Sequence, residues 1–533
     1  MSHFKILYRQ FLFRLMDVEF LAASARGDSS QLFGQFAALL ILLSLGSCYV
    51  ALIFGSTPRS TPVVWLAQRL LIEITMLVVG VFALLNWEST FPDRRDVQIL
   101  APLPIRGRIV FLAKITAAAS SLGLTIVALN CFSAFVWPSA LAPHGSGLVT
   151  HLRFMAAYWI TLPAAGAFLY CSILGLQGII AQLPRGWFLR LSSFVQIAAL
   201  ALFIGVISLQ PSFLTAKALG APENQRALAW LPAYWFMGLF SAISGGYPNT
   251  VMEPLAKRAL AGLAISILIA AGAFVLSWRR TMKKIAEEPD ILSGSRGGVW
   301  LPRFGTLPQS ALVQFTIRTL CRSRQHRMNL AFYVGVGFAM IAVSRAVLAS
   351  SLLMICLTAV GTRIAFSRPL DLRANWLFQT VPLTAGALIR SAARKSLLTL
   401  SLLPVWIGSA AAFLWSQPWM TAAKHLVLLA LFGVLLVEIS LIGFHKIPFT
   451  CSYLPGKTKI HVTFVACIFL LPSTLMQVAE IEEGALDNRL HYIAVVAILI
   501  AAIVALRRYF RSDQQPQFEE FESNELVTLN LQR

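Results

Sequence analysis

The chain has 533 residues, of which 57% are hydrophobic and only 13% are charged, and its mean hydropathy is +0.72. A water-soluble protein of this length could not bury so much apolar surface in its core, so the composition excludes a soluble enzyme and indicates a polytopic membrane protein. The net charge of +21 could suggest nucleic acid, but in a membrane chain it is first a signal of topology, and we expect no nucleic-acid partner.

The first segment of the chain, residues 1–33, is predicted to be a cytoplasmic amphipathic segment. Its apolar residues recur at helical spacing, and its basic residues lie away from that stripe. Scattered charges and the length of the following apolar run argue against a cleaved signal peptide. The apolar stripe consists of Phe4, Leu7, Phe11, Leu15, Val18 and Ala22.

About twelve apolar windows have close to the roughly 20 residues that a helix needs to cross a bilayer. They predict an all-α, polytopic helical membrane protein with about 12 transmembrane helices. Most of the 44 Lys and Arg residues fall in segments that are inside when the N-terminus is inside, so both termini are predicted to be cytoplasmic. The windows are 34–55, 63–85, 115–137, 154–181, 191–209, 257–278, 329–345, 347–366, 396–415, 424–444, 462–478 and 491–506.

Three of the ionisable residues within these windows are candidate intramembrane polar residues. Arg69 and Glu73 are four residues apart in the second window, so they share one helix face and can form an ion pair. Glu438 in the tenth window has no visible partner on its own helix. A charge in the membrane needs a partner or a hydrated cavity. Either a translocation path or a structural polar contact between helices is compatible with these residues.

Two long inside loops, 86–114 and 367–395, follow the second window of each half and share one order of residues. Each has a proline, then acidic and arginine residues, an apolar stretch, a second proline and a final lysine. Proline suits the first turn of a short helix and the turn that ends it, and acidic residues suit its N-terminal end. Each loop is therefore predicted to contain a short charged cytoplasmic helix.

An aromatic segment, "AWLPAYWFMGLFSAISGG", lies within the outside region 210–255. It is too aromatic for a solvated loop and too short and broken for a span. Trp230, Tyr234 and Trp235 are typical of the aromatic belt at a membrane interface. His144 and His151 share an earlier outside loop, but without a third ligand they imply no metal site, and no cofactor is implied.

A Gly/Ser/Pro-rich linker divides the chain into two halves of six windows each. Because six is even, the two halves are predicted to run in the same direction across the membrane, as in parallel-repeat transporters. The 329–366 pair is predicted to be a hairpin, with one long re-entrant element as the alternative. The predicted organisation is an amphipathic segment at 1–33, a first half at 34–278, a linker with a second amphipathic segment at 279–328, a second half at 329–507 and a cytoplasmic tail at 508–533.

The stretch "CSYLPGKTK", residues 451–459, is similar to a phosphate-binding loop but is incomplete. The G-x-x-x-x-G-K-[ST] pattern needs a glycine where this chain has Cys451. No other stretch has the required spacing, and the inside segments are too short to form a nucleotide-binding domain. ATP hydrolysis by this chain is therefore not expected, and Lys457 is interpreted as a membrane-proximal positive charge.

The string "DVQILAPLPIRGRIVFLAK" resembles the cytoplasmic loop of ABC-2 type exporter permeases, and "RSRQHRMNLAF", "LRANWLF" and "KIPFTCSYLPGK" resemble a long, fused two-half bacterial subgroup of that family. The resemblance covers both halves. It implies a transmembrane subunit without an enzymatic activity of its own, located in the bacterial cytoplasmic (inner) membrane and driven by a separate cytoplasmic ABC ATPase, as a dimer. The resemblance is also compatible with further copies of the permease as partners.

In that family the short loop helix docks on the ATPase and transmits its motion to the spans. The resemblance assigns ATPase coupling to two sets of residues in this chain. The second set lacks the paired arginines of "DRRD", so the equivalence of the two loops stays open. The first set is Asp93, Arg94, Arg95, Asp96, Leu103 and Pro104; the second is Asp371, Arg373, Asn375, Trp376 and Pro382.

Two other classes of protein remain as alternatives. A secondary transporter of the major-facilitator kind has the same six-plus-six arrangement, but its connection after the second span is short and glycine-rich. A polytopic membrane glycosyltransferase is expected to carry a catalytic acid in an early outside loop, and "STPRSTP" at 56–62 contains none. The substrate leaves no chemical signature in the sequence.

Overall fold

The computed structural model describes most of the chain, and every regular element in that part is helical. The main described ranges are 3–16, 29–56, 60–90, 103–143, 145–183, 215–245, 249–287, 302–344, 347–367, 386–442, 446–450 and 460–509, with a few short stretches between them.

The chain divides into two compact units, Met1–Ser293 and Gly294–Arg533. The boundary lies within the predicted linker 279–328, although the last helix of the first unit continues into that segment as far as Glu287.

The described residues of the first unit contain eight longer helices and several short ones. The longer helices are α1 (His3–Met16), α2 (Ser29–Ser56), α3 (Thr61–Leu85), α4 (Gly107–Asn130), α5 (Ser133–Leu141), α6 (Leu148–Ile180), α7 (Pro232–Ser244) and α8 (Asn249–Glu287). The short ones are Trp87–Thr90, Ala216–Gly220, Pro222–Asn224 and Gln225–Ala229.

The described residues of the second unit also contain eight helices, in addition to one π-helical segment. They are α9 (Leu307–Arg322), α10 (Arg324–Ser344), α11 (Val347–Phe366), α12 (Gly386–Leu397), α13 (Leu403–Ser416), α14 (Trp419–Ser440), α15 (Ile460–Asp487) and α16 (Arg489–Tyr509). The π-helical segment, Leu398–Leu402, joins α12 to α13. It precedes Pro404, which has no N–H to donate, so the wider turn keeps one helix continuous across the proline.

Eight helices in the described residues are long and apolar enough to cross a membrane. The chain is therefore a multi-pass, all-helical membrane protein. A bent pair, Pro222–Ala229 with Pro232–Ser244, brings the number to nine if it counts as one span. The predicted number of about 12 and the layout in two halves stay predictions. The eight are Thr61–Leu84, Gly107–Asn130, Leu148–Ile180, Met252–Trp278, Leu348–Phe366, Gly386–Ser416, Trp419–Ser440 and Arg489–Tyr509.

The third predicted window, 115–137, has the wrong boundaries. Its helix α4 begins at Gly107, ends at Asn130, and is followed by a turn and the separate helix α5. The backbone N–H groups of Phe132 and Ser133 donate to Ser44 Oγ of α2, at 3.1 and 3.0 Å. A hydroxyl from a neighbouring helix thus satisfies donors at the break, which hydropathy along the chain could not reveal.

Within the 329–366 region, the helices α10 and α11 pack against each other, and whether they form two spans or one re-entrant element stays a prediction. A Cβ built on Gly361 would lie 2.7 Å from the Tyr333 ring, and one built on Gly337 would lie 2.6 Å from Met354 Sδ. The earlier residue of α10, Tyr333, contacts the later residue of α11, Gly361, and the later residue Gly337 contacts the earlier residue Met354. The two helices are therefore antiparallel. The glycines allow their close approach.

The amphipathic helices α1 and α9 each pack on the helix that follows a predicted coupling loop. In the first unit α1 buries its apolar stripe against α4, and in the second unit α9 packs against α12. The buried residues of the first pair include Leu7, Phe11, Leu15, Val110, Ala113 and Ala117, and those of the second include Leu312, Val313, Ile389 and Ala392.

Candidate functional site

Most of the predicted coupling residues lie outside the described residues. This applies to Asp93, Arg94, Arg95 and Asp96 in the first loop and to Asp371, Arg373, Asn375, Trp376 and Pro382 in the second. Their role stays a prediction, as does the role of Lys457.

Leu103 and Pro104 are described and form an exposed bend just before α4. The Ile105 N–H donates to Leu103 O at 2.7 Å, and the Leu103 side chain is 45% exposed. The exposed apolar side chain of Leu103 can contact a partner protein. The bend that carries it leads directly into the transmembrane helix α4.

In each unit one lysine joins the amphipathic segment to the helix that follows its loop; Lys114 is buried and Lys395 is half-buried. Lys114 of α4 is 2% exposed, and its Nζ lies 5.1 Å from the centre of the Phe11 ring of α1. In the second unit Lys395 of α12 donates to Phe304 O at 2.7 Å and to Gln309 Oε1 of α9 at 2.9 Å. A cation–π contact and charge-assisted hydrogen bonds both stabilise a buried ammonium group. The sequence predicted these lysines only as the ends of the two loops.

Arg69 and Glu73 form the ion pair predicted from their spacing. Arg69 Nε lies 3.0 Å from Glu73 Oε1, and both residues are buried near the middle of α3. Arg69 Nη1 donates to the Tyr234 hydroxyl of α7 at 2.7 Å, and the same hydroxyl accepts from the Phe213 N–H at 2.9 Å.

The prediction that Tyr234 belongs to an interfacial aromatic belt is wrong. Tyr234 is fully buried, and its hydroxyl accepts a hydrogen bond from the buried Arg69. A side chain in this position does not face the membrane interface. Trp235 is half-buried and donates to Leu228 O at 2.7 Å, whereas Trp230 is 84% exposed. The bent pair containing this segment turns by 104°, so its second helix returns into the unit and brings Tyr234 to the ion pair.

Glu438 has the partners that its own helix could not provide. Arg394 Nη2 of α12 donates to Glu438 Oε2 at 2.9 Å, and Arg507 Nε of α16 donates to Glu438 Oε1 at 2.7 Å. The carboxylate is 1% exposed, and two guanidinium groups compensate its charge. Nearby, Arg363 of α11 donates to Ser440 O at 2.7 Å. Three arginine residues, Arg363, Arg394 and Arg507, thus lie at this end of the second unit.

A second buried polar cluster in the second unit was not predicted. His425 of α14 is fully buried, with Nδ1 2.5 Å from Glu482 Oε1 of α15 and Nε2 3.0 Å from Ser351 Oγ of α11. Phe413 stacks on the imidazole ring at 4.0 Å between centroids. Glu482 lies beyond the predicted window 462–478 and Ser351 is an unremarkable residue for a span, so no sequence signal connected the three.

The described residues contain no group of three His, Cys, Asp or Glu side chains that could hold a metal ion. The polar clusters within the described part of the helices are consequently ion pairs and hydrogen-bond networks between protein groups.

Comparison with known proteins found no match for this chain among protein families, curated proteins or solved structures.

Proposed function

We propose that this chain is the transmembrane permease subunit of an ABC-2 type, ATP-driven exporter. It moves a substrate across a bacterial cytoplasmic membrane, has both termini in the cytoplasm, and uses ATP hydrolysed by a separate dimeric ATPase chain. The proposal rests on the loop resemblance together with one structural observation, the lysine-anchored amphipathic helix that occurs in each unit.

The anchored helices support the proposal because of where they lie. In each unit the amphipathic helix packs on the helix that directly follows a predicted docking loop. Lys114 and Lys395 hold these contacts from equivalent places. A force applied at the loop would reach a helix that is already braced at the membrane surface, so the loop and its span would move together rather than bend independently.

The charged residues of the loops suit an electrostatic docking surface. "DRRD" contains two acidic and two basic residues in succession, and such a surface selects its partner through complementary charge. If these residues only supported the positive-inside orientation, the other basic residues on the inside could replace them. The two possibilities therefore predict different results for charge reversal.

The test is co-purification of the full-length chain with its cognate ABC ATPase, followed by ATPase stimulation in the reconstituted complex. We expect Arg94→Glu/Arg95→Glu to reduce complex formation about 30-fold or more, since mispairing a buried interfacial charge costs about 2–5 kcal/mol. Asp371→Lys/Arg373→Glu tests the second loop in the same assay.

The matched control is Lys283→Glu/Lys284→Glu, which reverses two predicted inside charges that belong to neither set of coupling residues. We expect it to leave ATPase binding unchanged. Normal assembly and stimulation in both loop variants, at normal membrane abundance, would refute the coupling role and favour the facilitator alternative.

A further inference from the structure

Ser351, His425 and Glu482 form a linear hydrogen-bonded cluster within the second unit. Their side chains come from three different helices, α11, α14 and α15. The exposures of the three residues are 6%, 0% and 5%. His425 is the central residue because both ring nitrogens are engaged, Nδ1 with Glu482 and Nε2 with Ser351.

The hydrogen bonds of this cluster can be completed in two protonation states. Ser351 Oγ lies 2.8 Å from Leu348 O, to which it donates, and 3.0 Å from His425 Nε2. A hydroxyl has one proton to donate. When Ser351 donates to Leu348 O, the Nε2 atom must carry a proton to bond to Ser351, and Nδ1–H donates to the Glu482 carboxylate. The ring is then an imidazolium.

The second state contains one proton fewer. Here Nε2 has a free electron pair, Ser351 rotates its hydroxyl proton to Nε2, and Nδ1–H still donates to Glu482. Passing between the states moves one proton between Nε2 and water, with no change in oxidation state. No ring nitrogen loses its partner in either state, so the usual cost of a buried unpaired polar group is avoided.

This property distinguishes the cluster from the Glu438 site. Arginine does not release its proton in proteins, so Arg394 and Arg507 keep a fixed charge beside Glu438. Histidine is the side chain whose ordinary titration range lies near neutral pH. The cluster around His425 therefore contains a cationic group that also has a neutral form, whereas the arginines beside Glu438 keep their charge.

The surrounding helices contribute two further titratable groups. Lys424 of α14 donates from Nζ to Leu486 O at 2.9 Å, and its ammonium lies 5.8 Å from the Tyr492 ring centre. Tyr492 of α16 interacts electrostatically with Glu482 and donates to Lys424 O at 3.3 Å.

The cluster lies at the opposite end of the second unit from the arginine-rich site. Ser351 and His425 are near the first residues of α11 and α14, whereas Arg363 and Glu438 are near their last residues. Glu482 is near the end of α15, which matches an antiparallel arrangement. Because basic residues concentrate on the cytoplasmic side, the end with His425 is the non-cytoplasmic one.

We propose that Ser351, His425 and Glu482 form a proton-binding site at the non-cytoplasmic end of the second unit, with His425 Nε2 as the atom that takes up the proton. Its ligand is a proton from the aqueous phase on that side. The site is independent of the ATPase partner. Its occupancy reverses the direction of the hydrogen bond between α11 and α14, since Nε2–H donates to Ser351 in one state and the Ser351 hydroxyl donates to Nε2 in the other.

The experiment is a pH titration of the full-length chain in lipid nanodiscs, with its eight histidines labelled with nitrogen-15. Nitrogen chemical shifts distinguish an imidazolium from a neutral ring. The His425 signal is identified by its loss in His425→Gln, or by its contact with a carbon-labelled Phe413 ring if that variant does not fold. We expect the wild-type signal to change from imidazolium to the Nδ1–H neutral form between roughly pH 5 and pH 9.

Two variants test the assigned partners. Glu482→Gln removes the anion beside Nδ1, so we expect proton binding to weaken about 10-fold or more. Glu483→Gln changes an exposed carboxylate on the same helix and is expected to leave the midpoint unchanged. A His425 ring that keeps one protonation state over the whole range, or equal midpoints in the two variants, would overturn the proposal.

The same three residues also have the order of a hydrolase triad, and a fluorophosphonate probe separates that possibility. We expect no labelling, because Ser351 is buried and Phe413 covers the imidazole ring. Covalent labelling that disappears in Ser351→Ala would identify a nucleophile and would replace the proton-binding assignment.

Discussion

Removing the Glu73 carboxylate is expected to destabilise the first unit more than any conservative change in α3. In Glu73→Ala, the Arg69 side chain, which is buried in the wild-type structure, loses the anion 3.0 Å from its Nε. Breaking a buried ion pair on one side costs about 3–5 kcal/mol. At about 2 °C per kcal/mol for a domain of this size, the midpoint of thermal unfolding should fall by roughly 6–10 °C.

Two further variants separate the charge effect from the loss of volume. Glu73→Gln keeps a hydrogen-bond acceptor beside Arg69. Because a hydrogen bond to a charged group contributes about 1.5–3 kcal/mol, Glu73→Gln should be more stable than Glu73→Ala by that amount. Arg69→Leu/Glu73→Leu replaces the whole pair by apolar groups, which is often close to neutral for a buried pair. The Tyr234 hydroxyl still accepts from the Phe213 N–H in that variant.

The assay is the fraction of monodisperse protein that survives heating in detergent, measured by size-exclusion chromatography for wild type and the three variants. We expect the order wild type, then the double leucine variant, then Glu73→Gln, then Glu73→Ala. A double variant as unstable as Glu73→Ala, or a Glu73→Ala variant that behaves like wild type, would show that the uncompensated Arg69 charge is not the cause.

Three other predictions concern packing, nucleotide binding and topology. Gly238→Ala should lower the unfolding midpoint by several degrees, because its Cβ would lie 2.5 Å from Leu255 Cβ and 2.8 Å from Met252 O, whereas Gly123→Ala has nothing within 4 Å and serves as the control. The purified chain should bind no ATP in an equilibrium binding assay, and micromolar binding lost in Lys457→Ala would contradict the interpretation of 451–459. Single cysteines should react with an impermeant maleimide from the cytoplasmic side near Gly294 and from the opposite side near Gly484; the reverse labelling at Gly294 would exclude the two-half topology.

The local features of this protein could be predicted well from the sequence. Hydropathy alone established a helical membrane protein, and helical spacing alone predicted the Arg69–Glu73 pair, because i,i+4 neighbours are fixed by the geometry of one helix. The amphipathic character of α1 was likewise visible as an apolar stripe, of which Leu7, Phe11 and Leu15 are buried.

The tertiary structure decided which helices supply partners to buried charges. Glu438 is satisfied by Arg394 and Arg507 from two other helices, and His425 meets Ser351 and Glu482 only because α11, α14 and α15 pack together. Helical periodicity in the sequence predicts contacts only within one helix. It cannot predict these contacts, which depend on how separate helices pack together. A charge in an apolar window therefore shows from sequence that a partner is needed, and only the folded bundle determines which residue it is.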